Sequence, residues 1–409
     1  MGPDDLFGAI APRHAGAGMT PIRVCFVGLY CYDLLTRAPH PRHIGGAERQ
    51  QVFLARGLAA NGHKVAFVTL DYGQDDGVWH DGIQVFKAYV LHQGLRGVRF
   101  VHPRWTGLAS AMRRAGADVY HHMAADLHTG QAAAWCRLRR RRFVFSLASD
   151  SDCDPALPLL PTARHRLLYR FGLRYADAAI AQTENQQKRL RAAFGTKSTV
   201  IRSCTPDVAF EPAVIQARAR DPRPRILWVG SFKPVKRLEI LLDLAVARPA
   251  WEFHVVGSGD PNHEYVQRLE SRAKMLPNVS LHRGATDDQL HEAYLRAHVL
   301  VCTSGIEGFP TTFLEAWARA LPVVSTVDPD GVIAAHHLGA ATTPEHLAEA
   351  IVGVLAQVRD GLPERVRAHY LATHTVEPFV TAHERLFRKV LERGHASSGH
   401  DASEQASPD

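Results

Sequence analysis

Short apolar runs and longer amphipathic stretches alternate along this chain from about residue 20 to residue 394. IRVCFVGLY (22–30), β-branched and aromatic, reads as a strand buried on both faces. GGAERQQVFLARGLAANG (45–62) places Val52, Phe53, Leu58 and Ala59 at helical spacing, and Gly62 suits its stop. KVAFVTL (64–70), DVYHHM (118–123), RFVFSLAS (142–149), DAAIAQT (177–183) and TVIRS (199–203) read as further strands. After a Pro- and Arg-rich stretch the pattern restarts. RILWVGS (225–231), WEFHVVGSGD (251–260), VSLHRG (279–284), HVLVCTS (298–304), PVVST (322–326) and HLGAA (337–341) are strand-like, and LEILLDLAVAR (238–248) is a helix. Strands alternating with helices imply parallel, doubly wound sheets. The predicted fold class is therefore α/β, with two Rossmann-like domains facing a cleft. Their bounds are 20–205 and 225–375, with a linker at 206–224. Residues 1–19 and 395–409 read as disordered tails, with Met19 a candidate start.

Composition narrows the class. Of 409 residues, 46% are hydrophobic and 22% charged, which excludes disorder as the main state. No apolar run approaches the ~18 residues of a membrane span. Asp4 and Asp5 near the start argue against a secretory signal. Six scattered cysteines without a CxxC pair favour a reduced, cytoplasmic protein over a zinc ribbon. A net charge of +7 suits an anionic ligand or an anionic membrane face, and is too weak to indicate nucleic acid.

Three segments carry candidate chemistry, all beyond the carboxyl ends of predicted strands, where such sheets bind ligands. Gly45 and Gly46 open the first long helix. They suit an anion at a helix N-terminus, and equally a loop that needs positive φ. No GxGxxG or GxxxxGK[ST] surrounds them, which disfavours a nicotinamide cofactor and P-loop chemistry. WVGSFKPVKR (228–237) follows a strand with Gly230, Ser231, Lys233, Lys236 and Arg237, cations that would neutralise a diphosphate or simply form a basic turn. SGIEGFPTTFLEAWARALPVVST (304–326) places Glu307 in a loop, Pro310 and Thr311 at a helix start, and Glu315 about one turn inside. Such carboxylates accept paired hydrogen bonds from vicinal hydroxyls, as on sugars and ribose; complementing the helix dipole is the plainer alternative.

On Gly45-Gly46-Ala47-Glu48, the Val229-Gly230 to Lys236 turn, and two glutamates separated by seven residues from Glu307 to Glu315, residues 20–393 resemble the retaining glycosyltransferases of family 4, which have the GT-B fold. The resemblance implies a nucleotide-sugar donor, UDP- or GDP-linked, and a hydroxyl acceptor of unknown identity, without a metal or other cofactor. Glu315 would hold the donor ribose. Glu307 and the amides of Gly308, Phe309 and Pro310 would grip the sugar, and Lys236 would stabilise the departing diphosphate. His122, near the end of DVYHHM, would lie close to the transferred sugar, unless it is simply a hydrogen-bonded histidine at a strand end. Residues 376–394 would form a last helix returning toward the N-terminal domain. Ser231 stands where the family often has Arg, so phosphate binding would draw on Lys233 or Arg237.

A rival reading uses Asp150, Asp152 and Asp154 as metal ligands of a GT-A-type transferase. Another is a non-catalytic protein that binds a sugar nucleotide or anionic lipid. The run Arg137–Arg142 and the segment ARHRLLYRFGLRYAD (163–177) are basic enough to touch an anionic membrane, or to form ordinary Arg-rich outer faces. Synthesis of glycan, exopolysaccharide or glycolipid is the expected setting.

Overall fold

The computed structural model describes residues 20–403 apart from 39–41, 43–44 and 96–97. The expected tail at 1–19 and residues 404–409 lie outside the described residues. The chain divides into two compact units. One is built from residues up to Arg202 together with Val376 onward, and the other spans Ser203–Thr375.

Among the described residues the N-terminal unit holds β1 (Arg23–Val27), β2 (Lys64–Thr69), β3 (Val78–His80), β4 (Ile83–Lys87), β5 (Val119–Met123), β6 (Arg142–Ser146), β7 (Ala178–Ala181) and β8 (Ser198–Val200). Their order is β3-β4-β2-β1-β5-β6-β7-β8, all parallel except the β3–β4 hairpin. β1 and β5 are adjacent, with Val24 opposite Val119, so the direction of winding reverses between them. Every residue of β5 is buried, as are the last four of β1, which explains their continuous apolar character.

The second unit holds β9 (Arg225–Ser231), β10 (Glu252–Ser258), β11 (Val279–Arg283), β12 (Val299–Cys302), β13 (Val323–Ser325) and β14 (Gly339–Ala341). The order β11-β10-β9-β12-β13-β14, with every recorded pair parallel, is the doubly wound arrangement of a Rossmann sheet. Its switch point lies between β9 and β12.

Two segments depart from expectation. The stretch expected as a linker at 206–224 contains the helix Ala213–Arg220. Arg218 of that helix is buried and donates to the carbonyls of Tyr294, Leu295, Arg319 and Ala320 at 2.8–3.1 Å, closing the C-terminal ends of two helical segments. Residues 203–205 are likewise fastened to this unit. His374 Nδ1 bonds the Ser203 carbonyl at 2.9 Å, and the Tyr370 hydroxyl donates to the Thr205 carbonyl at 3.0 Å. The last helix runs Val376–Ser403, so the tail expected from residue 395 begins as helix. Extending a formed helix adds one hydrogen bond per residue, so even HASSGHDAS can continue it.

That helix belongs to the N-terminal unit. His383 and Phe387 meet the ring of His121 at 6.2 and 6.0 Å, and Val380 lies so close to Gly57 that a Cβ there would be 2.3 Å from it. Burial holds both histidines neutral: His121 lies well below the ordinary histidine range, the nearby His383 and His122 adding to this, and His383 is pushed down to about 4. The unfolded chain takes up these protons near pH 6.5 and the folded chain does not. Their contribution to stability is therefore complete above pH 6.5 and is lost as pH falls toward 4, by about 1.4 kcal/mol per pH unit for each. Urea midpoints should fall between pH 7 and pH 5, and His383→Phe, which keeps the ring packing, should flatten the slope. An identical slope in that variant would contradict the assignment.

Candidate active site

β9 and β12 run side by side, and the loops that leave their carboxyl ends are tied together. After β9 comes a single 3-10 turn, Pro234–Lys236, and then Arg237 in a left-handed conformation before the helix Leu238–Ala247. After β12 comes the loop 303–310 and then the helix Thr311–Trp317. The Thr303 hydroxyl donates to the Lys236 carbonyl at 2.7 Å and accepts from the Trp228 indole at 3.0 Å. The Gly305 amide donates to the Val235 carbonyl at 2.8 Å. Arg237 was expected at a phosphate. Its guanidinium instead donates to the carbonyls of Thr303 and Ser304 at 2.7 and 2.9 Å and to the Thr326 hydroxyl at 3.0 Å. The left-handed turn at Arg237 accompanies this inward course, so Arg237 is a structural latch between the loops.

The latch brings Lys236 and Glu307, 71 residues apart in sequence, into an ion pair. Both side chains are partly exposed, so the pair is open to a ligand. Lys233 stands exposed at the start of the same turn, and Ser231 is half-buried beside it. Gly308 leads to Phe309, which is buried against Trp317 and His374. Pro310 caps the helix but has no N–H, so it cannot donate to a sugar as the resemblance implied; the Gly308 and Phe309 amides can.

Glu315 lies on the helix Thr311–Trp317 and takes a different partner from Glu307. It is buried, and its Oε2 accepts from the Tyr294 hydroxyl at 2.8 Å. Arg319 lies over the Tyr294 ring at 5.1 Å and donates to the Glu315 carbonyl. Tyr294 comes from the neighbouring helix Asp287–Arg296, a long-range contact with no local sequence signal. Gly257 and Gly259 were also passed over. A Cβ on Gly257 would stand 2.0 Å from the Gly230 carbonyl oxygen, so the facing ends of β9 and β10 require glycine there.

In the N-terminal unit, His122 bridges the switch point. Its Nδ1 meets the Val27 carbonyl at 2.7 Å and its Nε2 meets Asp126 at 3.0 Å. Asp126 also bonds His128 Nδ1 at 2.6 Å, and His128 Nε2 meets the Tyr89 hydroxyl at 2.9 Å. Burial alone would lower the His122 pKa, but the Asp126 carboxylate and the Val27 carbonyl raise it above the ordinary histidine range. Asp126 is held well below the carboxylate range: the two histidines outweigh the burial that would raise it. The partners of His122 were missed, although Asp126 and Thr129 form a capping box that the sequence displays.

Gly45 is the N-cap of the helix Gly46–Ala60 with φ −129°, an extended conformation. The positive-φ reading therefore fails. A Cβ there would lie 2.1 Å from the Glu48 carboxylate, the far end of a flexible side chain that can swing aside. Gly46 is the first helical residue.

The aspartates proposed as metal ligands face different ways. Asp150 pairs with Arg189, and Asp154 accepts from the Ala156 amide. Asp152 turns inward to the amides of Ala148 and Ser149, and burial raises it to about 6 despite those bonds. Among the described residues no three His, Cys, Asp or Glu side chains gather where they could hold a metal.

Residues 45–203 match the family model described as glycosyl transferase 4-like domain, and residues 223–357 match that described as glycosyl transferases group 1. Lipopolysaccharide 1,6-galactosyltransferase of Salmonella typhimurium is 26% identical over 157 residues, covering 37% of this chain and 43% of the relative. D-inositol 3-phosphate glycosyltransferase of Streptomyces bingchenggensis is 30% identical over 172 residues, covering 37% and 38%. The chain thus spans less than half the length of these curated relatives. Among solved structures, sucrose-phosphate synthase of Thermosynechococcus elongatus superposes with a TM-score of 0.72 at 18% identity, covering 90% of this chain and 99% of that one. An apo lipopolysaccharide outer-core galactosyltransferase gives 0.59 at 16%, covering 90% and 100%. Each half of the chain thus matches a glycosyltransferase domain family, and the fold is the GT-B fold of its structural neighbours.

Proposed function

We propose that the protein is a retaining glycosyltransferase of family 4 that moves a sugar from a UDP- or GDP-linked donor to a hydroxyl acceptor in glycan, exopolysaccharide or glycolipid synthesis. The observation that carries this reading is the pairing of Lys236 with Glu307 at the β9/β12 switch point, beside a helix that holds the buried Glu315. Matches to a lipopolysaccharide galactosyltransferase and an amylovoran biosynthesis glycosyltransferase of Erwinia amylovora support the polysaccharide setting.

Each residue has a task. Glu315, oriented by the Tyr294 hydroxyl, accepts from the ribose hydroxyls. A diphosphate carries more negative charge than one carboxylate and competes with Glu307 for the Lys236 ammonium. Glu307 is then available to accept from the donor sugar, with the Gly308 and Phe309 amides beside it. As the bond from the anomeric carbon to phosphate oxygen breaks, Lys236 stabilises the charge that develops on the diphosphate. The acceptor oxygen bonds to the anomeric carbon on the same face, and its proton passes to the leaving phosphate oxygen. The protein supplies position and charge, and no metal or other cofactor enters the scheme.

A thermal-shift screen of nucleotide sugars tests the reading, since a ligand that binds only the folded chain raises the melting temperature. A UDP- or GDP-sugar should raise it, and proton NMR of the product should show the donor's anomeric configuration. Inversion would refute the retaining mechanism, and no shift with any nucleotide sugar would refute the donor class.

A further inference from the structure

Away from that site, the N-terminal unit carries a face of unusual composition. Three segments meet there: residues 98–105 with the described residues 90–95 before them, residues 155–160 and the helix Ala163–Tyr175. The Arg164 guanidinium stacks on the Phe100 ring at 4.1 Å, and Phe100 packs edge-on to Trp105 at 5.7 Å. Arg166 donates to the Leu160 carbonyl at 3.3 Å and Arg170 to the Pro155 carbonyl at 2.8 Å. On the joined surface Leu95 and Leu167 are 79% and 69% exposed, and Val98, Val101 and Leu159 stand out in the same way.

The charge is one-sided. Between Lys87 and Asp118 the chain has five arginines and no Asp or Glu; between Asp154 and Asp177 it has four arginines and again none. Of these cations Arg114 pairs with Asp76 from outside the segment. Exposed aliphatic side chains among arginines whose own segments carry no acidic residue suit a surface lying in a lipid headgroup layer, with apolar tips in the acyl boundary and guanidinium groups on phosphates. No helix among the described residues is long and apolar enough to cross a membrane, so the contact would be one of lying on the bilayer. A second copy of the chain is a poorer occupant, because a two-fold interface would set these arginines against themselves.

We propose that this face docks the protein on an anionic bilayer. Flotation of the full chain with vesicles tests it, comparing phosphatidylcholine alone with phosphatidylcholine containing phosphatidylglycerol. Binding should favour the anionic vesicles on the order of tenfold or more and weaken as salt rises. The double variant Leu95→Ser, Leu167→Ser alters exposed positions only, should keep its melting temperature, and should bind on the order of tenfold less tightly. Absence of binding to anionic vesicles at low salt, or unchanged binding by the double variant, would overturn the proposal. So would light scattering that shows a dimer broken by the same substitutions, which would assign the face to a second copy.

Discussion

Lys236→Met is expected to lower turnover on the order of a hundredfold to a thousandfold with the fold intact. The lysine is partly exposed and its ion pair with Glu307 contributes little to stability, so the loss falls on the reaction. On the proposed reaction the variant removes the charge facing the leaving diphosphate, a stabilisation that grows toward the transition state and so acts on turnover more than on donor affinity. Single-turnover rates beside donor binding constants separate the two. A variant that retains full turnover would remove Lys236 from the chemistry. A drop confined to donor affinity would make it a binding residue alone.

Arg218→Met should destabilise the protein by about 3–5 kcal/mol, although the residue lies in a segment that reads as linker. Burial and the nearby Arg319 lower its pKa to about 9, still well above neutrality, so it is buried as a cation. Its partners are four main-chain carbonyls at helix ends, where a cation meets the negative end of the helix dipole. Methionine fills much of the volume but leaves those carbonyls without their donors. The neighbouring Arg220 is exposed, and Arg220→Met should stay within about 0.5 kcal/mol. Equal denaturant midpoints for the two variants would contradict this account. Tyr294 supplies one of those carbonyls and also holds Glu315, so Arg218→Met should weaken nucleotide binding as well.

The contrast between Arg218 and Lys236 shows what was legible in the sequence. The parallel strands were readable because burial on both faces leaves continuous apolar runs, as in β1 and β5. The β3–β4 hairpin was overlooked although its turn signal was present: Asp81-Gly82, both at positive φ, joins VWH to IQVFK. The two glutamates stood out through a resemblance, since their spacing alone also fits helix-end charges. Arg218, Arg237 and Tyr294 were illegible for a common reason. Each owes its role to partners 21 to 102 residues away, and nothing local separates an arginine that latches loops from one that meets phosphate.

The central claim is that Glu315 and Glu307 serve different parts of one donor. Calorimetric titration with the free nucleoside diphosphate tests it most directly. Losing a hydrogen bond to a charged group costs roughly 1.5–3 kcal/mol, so Glu315→Gln should weaken binding on the order of tenfold to a hundredfold. Glu307→Gln should bind the nucleotide no more weakly than the wild type, because removing that carboxylate removes the competitor for Lys236. If Glu307→Gln loses nucleotide affinity and Glu315→Gln retains it, the two roles are reversed and the account is wrong.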